Sequence, residues 1–399
     1  MNRFILSLML WALAVPAWAQ STSADYIKMG NDSYAQRDYD RAIMDYTKAI
    51  QLNPSDSAGS YDRGIAFYHK KDFDSAIQDL TQAIRIKPDH VQALVARGNA
   101  YDDKGDHDAA FRDYSEAIRI NPAYISPYIE RGIAYDNRGD HDNAIADFTK
   151  AIQLDANNPR PYYGRGLAYR RRDDCDRAIK DLDDAIRLNP NESKAFMERG
   201  RCYYSKKNFE LAIADFTQSR QLDPNSSAAL VERGNAYDDK GEGDKAMQDY
   251  SDAIRISPDN ANTFYNRGLA YRHRGEFDLA IKDYSEAIRL NPKYASAFNN
   301  RGYAYDHQGK HDLAIADFTE ALRLNPDHQF AFFNRGKAYR EKGEYEDAIK
   351  DLNESIRLNP NDAKAFYQRG LAKQQNHDTA GGDADIAKAK QLNPSVTGD

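Results

Sequence analysis

Apolar and polar positions along this chain follow a helical rhythm, and the rhythm itself repeats. From Ser23 to Val396 one 34-residue pattern is written eleven times without insertion or deletion, each copy marked by a glycine, from Gly30 and Gly64 to Gly370. With that glycine as position 8, the copies start at residues 23, 57, 91, 125, 159, 193, 227, 261, 295, 329 and 363. Positions 4, 8 and 11 form one stripe, Phe298, Gly302 and Tyr305 in the ninth copy. Positions 17, 20, 21, 24 and 28 form another, Tyr345, Ala348, Ile349, Leu352 and Ile356 in the tenth. Spacings of three and four put each stripe on one helix face, where a strand would alternate. Each repeat is therefore predicted to be two amphipathic helices, and the chain all-α, with hairpins that stack because none buries its apolar face alone.

The punctuation agrees. An acid stands at position 16 or 18 of nearly every repeat, such as Asp106 and Asp108, placed to cap the second helix. Asn-Pro or a close variant ends that helix, as at Pro54, Pro292 and Pro326. A glycine inside a helix costs about 1 kcal/mol relative to alanine, so eleven of them need an offsetting gain. Close approach of position 8 to the alanine at position 20, Gly302 to Ala314, supplies one. Antiparallel counting then sets 4 against 24 and 11 against 17, Phe298 against Phe318 and Tyr339 against Tyr345.

Residues 1–19 read differently. Arg3, an apolar run from Phe4 to Val15, and Ala17-Trp18-Ala19 make a secretory signal peptide cleaved before Gln20. Residues 20–399 are then a single solenoid. Its last repeat is degenerate: Lys373, Gln374 and Gln375 end one helix, Gly381 and Gly382 loosen the next, and Asp383 and Lys390 replace isoleucines, as a solubilising cap requires. The leader predicts a periplasmic or secreted protein with no membrane insertion once it is removed. The formal charge of −7, or −8 without Arg3, argues against nucleic acid, which needs a basic footprint.

The repeat resembles the tetratricopeptide family, whose motif has a large residue at 4, Gly at 8, Tyr at 11, Ala at 20, an aromatic or aliphatic at 24, Ala at 27 and Pro at 32. The departures are Ser60 at position 4, Ala156 at 32, Ser219 and Ser355 at 27, and Gly382 at 20. The resemblance implies a right-handed superhelical solenoid of antiparallel helix pairs, with a concave groove, lined mainly by first helices, that binds a peptide or partner protein. Some members grip a chain-terminal carboxylate with Lys at 5 and Asn at 9. Here Asn31, Asn99 and Asn235 stand at 9, but Ile27, Val95 and Val231 stand at 5, so that clamp is absent.

Two patterns carry candidate chemistry. Arg fills position 7 in ten repeats, Arg63 to Arg369, and Asp fills position 23 in all eleven. At about two residues' difference in level the guanidinium can reach the carboxylate, which makes a structural pair the stronger reading over a binding stripe. The face made of positions 2, 5, 6, 9, 12 and 13 varies between repeats. The third, fourth and seventh present acids there: Asp102, Asp103, Glu130, Asp136, Glu232, Asp238 and Asp239. The fifth and sixth present bases among aromatics: Arg160, Tyr163, Arg170, Arg171, Lys194, Arg201 and Tyr204. Tyr265, Arg272, Phe333 and Arg340 continue the mixture. Such a patch suits an acidic peptide; the alternative is a solvated face partnered by its own acids.

No metal, cofactor or catalytic set is predicted. His107, His141 and Cys175 share position 17, but successive repeats stand too far apart to share an ion. Cys175 and Cys202 are a candidate disulfide in an exported protein, against two buried thiols. The functional expectation is a non-catalytic interaction scaffold, and its alternative a structural protein that self-associates end to end through its terminal repeats.

Overall fold

The computed structural model describes residues 21–397, so the expected leader lies outside the described residues. Twenty-two α-helices follow one another in pairs, and the described residues contain no strand. In the ninth repeat the pair is Ala295–His307 and His311–Leu324, positions 1–13 and 17–30. The chain divides after Asn189 into two compact units. No described helix is long and apolar enough to cross a membrane.

The turn between paired helices has one geometry throughout, with position 15 left-handed in every repeat. Six repeats use glycine there; the others force Arg37, Lys71, Asp173, Lys207 and His377 to φ of 58° to 66°. The next residue starts the second helix. Where it is Asp or Asn, as at Asp106, the side chain accepts a hydrogen bond from the backbone three residues on, 3.1 Å to Ala109 N. Glu242, Glu276 and Glu344 make no such bond. The expected acidic cap therefore depends on side-chain length, the extra methylene of Glu carrying the carboxylate past the orphan N–H groups.

The glycine at position 8 is required, though the group above it is more than the alanine at 20. A Cβ on Gly98 would stand 2.5 Å from Cε1 of Tyr114, and one on Gly302 2.8 Å from Cε1 of Phe318 and 3.1 Å from the carbonyl oxygen of Ala314. The ring at position 24 thus lies over the glycine, a turn from the expected facing with position 4. Side chains lean toward the N-terminus of their helix, which in an antiparallel pair slides 24 from the level of 4 to that of 8. Phe298 packs instead with Ala321 and Leu322 of its own repeat and with Ala331 of the next. Likewise position 12, not 11, meets an aromatic at 17: Tyr34 with Tyr39 at 5.5 Å, Tyr68 with Phe73 at 5.8 Å.

Within each unit the first helices touch the first helices of adjacent repeats, while second helices touch only the first helices on either side. First helices therefore crowd the inner side of each curve. Their face of positions 2, 5, 6, 9, 12 and 13 is the one left over.

Candidate functional site

The repeated charges are consumed first. In each repeat from the second to the eleventh the arginine at 7 grips the aspartate at 23 with two bonds; Arg97 Nε and Nη2 reach Asp113 at 2.8 and 2.7 Å, Arg301 reaches Asp317 at 2.8 and 2.8 Å. Within each unit the remaining nitrogen goes back to position 25 of the preceding repeat: Arg63 to Thr47 at 3.0 Å, Arg131 to Ser115 at 2.9 Å, Arg369 to Asn353 at 2.7 Å. A planar fork with five donors suits three acceptors on two elements. The arginine row is thus a set of inter-repeat staples, and it is not available as a binding stripe. The first repeat departs from this: Met29 occupies position 7, and Asp45 Oδ2 is buried with no hydrogen-bond partner.

The expected basic patch is also engaged, by acids of neighbouring repeats. In the first unit Arg160 bonds Glu130 at 3.1 Å, and Arg171 bonds the buried carboxylate of Asp136. Tyr163 and Arg170 are half-buried on the same helix, Pro159–Arg171. In the second unit Arg201 reaches Glu198 at 2.8 Å and Glu232 at 2.9 Å, while the Tyr204 hydroxyl donates to Asp239. Burial first, and then that bond, raise the Tyr204 phenol above its usual range. Lys194 is exposed. Acidic and basic repeats that look like separate surfaces in the sequence neutralise each other where they adjoin.

Arg272 differs. Its nitrogens reach Asn300 Oδ1 at 2.7 Å and His273 Nε2 at 3.2 Å, and its guanidinium lies 5.1 Å from the ring centre of Tyr303. Asn300 in turn donates to the Tyr265 hydroxyl at 3.0 Å. Every one of these partners is neutral or a ring. Beyond them, on the same face of the ninth to eleventh repeats, opens a cavity of about 300 Å³ walled by Tyr303, His307, Phe318, Phe333, Lys337 and Lys364. Thr397, after the last helix, touches its edge.

The described residues hold one group with metal-ligand geometry that the sequence spacing did not reveal. Ligand atoms of Asp306, His311 and Glu341 lie within 4.8 Å of one another. The Lys337 ammonium already stands 3.6 Å from both carboxylates, and the His311–Asp306 bond of 2.7 Å recurs as His107–Asp102 and His141–Asp136, each 2.7 Å. These are position-12 to position-17 contacts across the turn. They explain histidine at 17 without an ion.

The asparagines at position 9 have a role the sequence reading missed. Asn31, Asn99 and Asn235 accept the hydroxyls of Tyr46, Tyr114 and Tyr250 at 2.7, 2.8 and 2.9 Å. The signal was present as a coincidence of Asn at 9 with Tyr at 24. Cys175 and Cys202 carry thiols in the structure, with Cys175 partly exposed at the start of its helix and Cys202 wholly buried. The candidate bridge between them is not formed there.

Family models described as tetratricopeptide or TPR repeat match residues 27–90, 98–137, 137–173, 163–227, 234–272, 268–309, 295–328, 318–350 and 336–376. The chain is a tetratricopeptide-repeat protein. No curated protein sequence matches it significantly. Among solved structures, the tetratricopeptide chain is similar to one in the APC/C hetero-tetramer Cut9–Hcn1, with 15% identity, a TM-score of 0.50, and 94% of this chain and 95% of that one covered. It is also similar to MamA, with 28% identity, a TM-score of 0.38, and 40% of this chain and 94% of that one covered. Pseudomonas aeruginosa PilF gives 20% identity, a TM-score of 0.47, and 51% and 93% coverage. The first of these likenesses bears on the fold alone.

Proposed function

We propose that this tetratricopeptide protein is a non-catalytic scaffold of the cell envelope that holds a peptide or protein segment along the inner faces of its first helices. The observation that carries this reading is a division of labour. Residues common to the repeats go into packing and stapling, as with Gly302 under Phe318 and Arg301 on Asp317 and Ser285, while the residues that differ are left on the inner face. A surface that varies from repeat to repeat around a constant frame is suited to reading a sequence. The envelope location rests on the leader, and a non-nucleic-acid partner on the acidic balance.

The experiment is retention from envelope extract. The mature protein is crosslinked to its surroundings, and what it holds is identified. Loss of a retained protein when Arg170, Arg171 and Lys194 are reversed together, with no loss when the exposed second-helix Lys150 is reversed, supports the groove; equal effects from both sides count against it. Circular dichroism of each variant guards against misfolding.

A further inference from the structure

The inner face of the eighth to eleventh repeats is chemically unlike the rest of that face. Three arginines elsewhere on it meet carboxylates: Arg160 with Glu130, Arg171 with Asp136, Arg201 with Glu198 and Glu232. Arg272 and Lys364 do not, no carboxylate lying within ion-pair distance of either among the described residues. They flank the cavity of about 300 Å³, Lys364 in its wall and Arg272 behind Tyr303, 5.1 Å from that ring. The acid in the wall, Asp306, is 8% exposed and already bonded to His311, with the Lys337 ammonium 3.6 Å away. Tyr303 and Phe333 give the cavity its aromatic walls, with the buried Phe318 beneath. Phe330 stands 63% exposed one turn before Phe333 on the same helix, and Phe330, Phe333, Asn334 and Lys337 follow the i, i+3, i+4, i+7 spacing of one face.

We propose that this cavity seats one bulky apolar side chain of an acidic segment, whose carboxylates on either side meet Arg272 and Lys364. This rests on the groove reading above and names its ligand. An exposed phenylalanine beside an aromatic pocket costs solvation until something covers it, and the volume suits a large side chain with its adjoining backbone. Two cations without carboxylates, Lys364 in the cavity wall and Arg272 beside Tyr303, favour acidic residues flanking the anchor. Charges at such a rim act chiefly through steering and exclusion of the wrong partner. Burial first, and then Lys337, lower the pKa of His307 in the cavity wall, which favours its uncharged form.

The test uses fluorescence anisotropy on the mature protein with a labelled peptide carrying one phenylalanine between two pairs of aspartates. Peptides with serine for the phenylalanine, with asparagine for the aspartates, or with lysine for them are the controls. Expected is binding of the first peptide that weakens at least tenfold in each control and in Arg272→Glu and Lys364→Glu. Partial recovery of the lysine peptide on Lys364→Glu would be the charge-swap signature. Equal binding of all four peptides, or binding of the first that ignores both substitutions, overturns the proposal. A mixed peptide array run beside it separates the two levels. If peptides of other chemistry bind the inner face, the groove reading stands and this proposal fails; if no peptide of any class binds, both fail.

Discussion

Tyr250 donates its hydroxyl to Asn235 Oδ1 at 2.9 Å, closing the second helix of the seventh repeat onto the first. One repeat later Tyr284 is equally buried, but position 9 is Leu269 and the hydroxyl has no hydrogen-bond partner. A buried donor left unmade costs about 1–3 kcal/mol, more than a made bond contributes. Tyr250→Phe is therefore expected to lower stability by about 1 kcal/mol, and Tyr284→Phe to leave it unchanged or raise it. Urea midpoints of the two variants, measured side by side, check the opposite signs; a loss of equal size in both would refute the account.

The five non-glycine residues in left-handed turns hold a conformation that disfavours a side chain by about 1–2 kcal/mol. Lys71→Gly and Lys207→Gly should each stabilise the protein by about 1 kcal/mol, less the glycine's greater unfolded-state freedom. The same exchange in reverse, Gly309→Ala, where φ is +69°, should destabilise by a similar amount. Thermal midpoints of the three variants decide it.

End-to-end continuation of the array lacks its coupling at both ends. Met29 replaces the arginine that would reach back, and Ala387 replaces the Thr, Ser, Asn or Asp that stands at the receiving position in the other repeats. The wild-type protein is expected to keep one mass across concentrations in sedimentation velocity. Met29→Arg with Ala387→Thr should make it associate, and Met29→Arg alone should give Asp45 its missing partner and slow amide exchange in the first repeat. Self-association of the wild type through its terminal repeats would refute this.

Asp62 stands at position 6 of the second repeat, where burial first, and then Asp56, push its carboxyl up to about 6. Below about pH 4 it is protonated folded and unfolded alike, and no penalty applies. Between that and about pH 6 the unfolded chain ionises while the folded one keeps its proton, so stability falls as pH rises and the penalty is full above it. Asp62→Asn should stabilise the protein at pH 7.5 by about 1 kcal/mol, after allowance for solvent screening. The gain should vanish by about pH 4. Denaturation curves at both values measure the difference; a gain independent of pH would point to another cause.

The thiols give a kinetic prediction. Cys175 is partly exposed and Cys202 wholly buried, so a thiol reagent should label Cys175 in the native protein and Cys202 only on unfolding. Two labels appearing only after reduction would instead support a bridge between them.

Much of this was legible in the sequence because a strict period makes every inference eleven times over. The two helices, the glycine at 8 and the Arg301–Asp317 pair all followed from spacing and reach. What spacing could not supply was the lean of side chains, which put Phe318 over Gly302 instead of against Phe298, and the second acceptor of each arginine, which lies in the preceding repeat. The inner face was the hardest to read. Arg160 and Arg171 look like open cations until Glu130 and Asp136, 30 and 35 residues away, are seen to meet them. The cavity is formed by four helices of three repeats, and no single repeat announces it.

The staples also govern how this protein can change in length. An interior stapled repeat receives a bond at position 25 and returns one from position 7, so a copy of 34 residues can be inserted or deleted between two such neighbours without orphaning a charge. Neither terminal repeat has that freedom, since Met29 and Ala387 break the exchange. The extent of the inner surface is thus open to variation by duplication, one whole hairpin at a time, while its boundaries are held by two single residues.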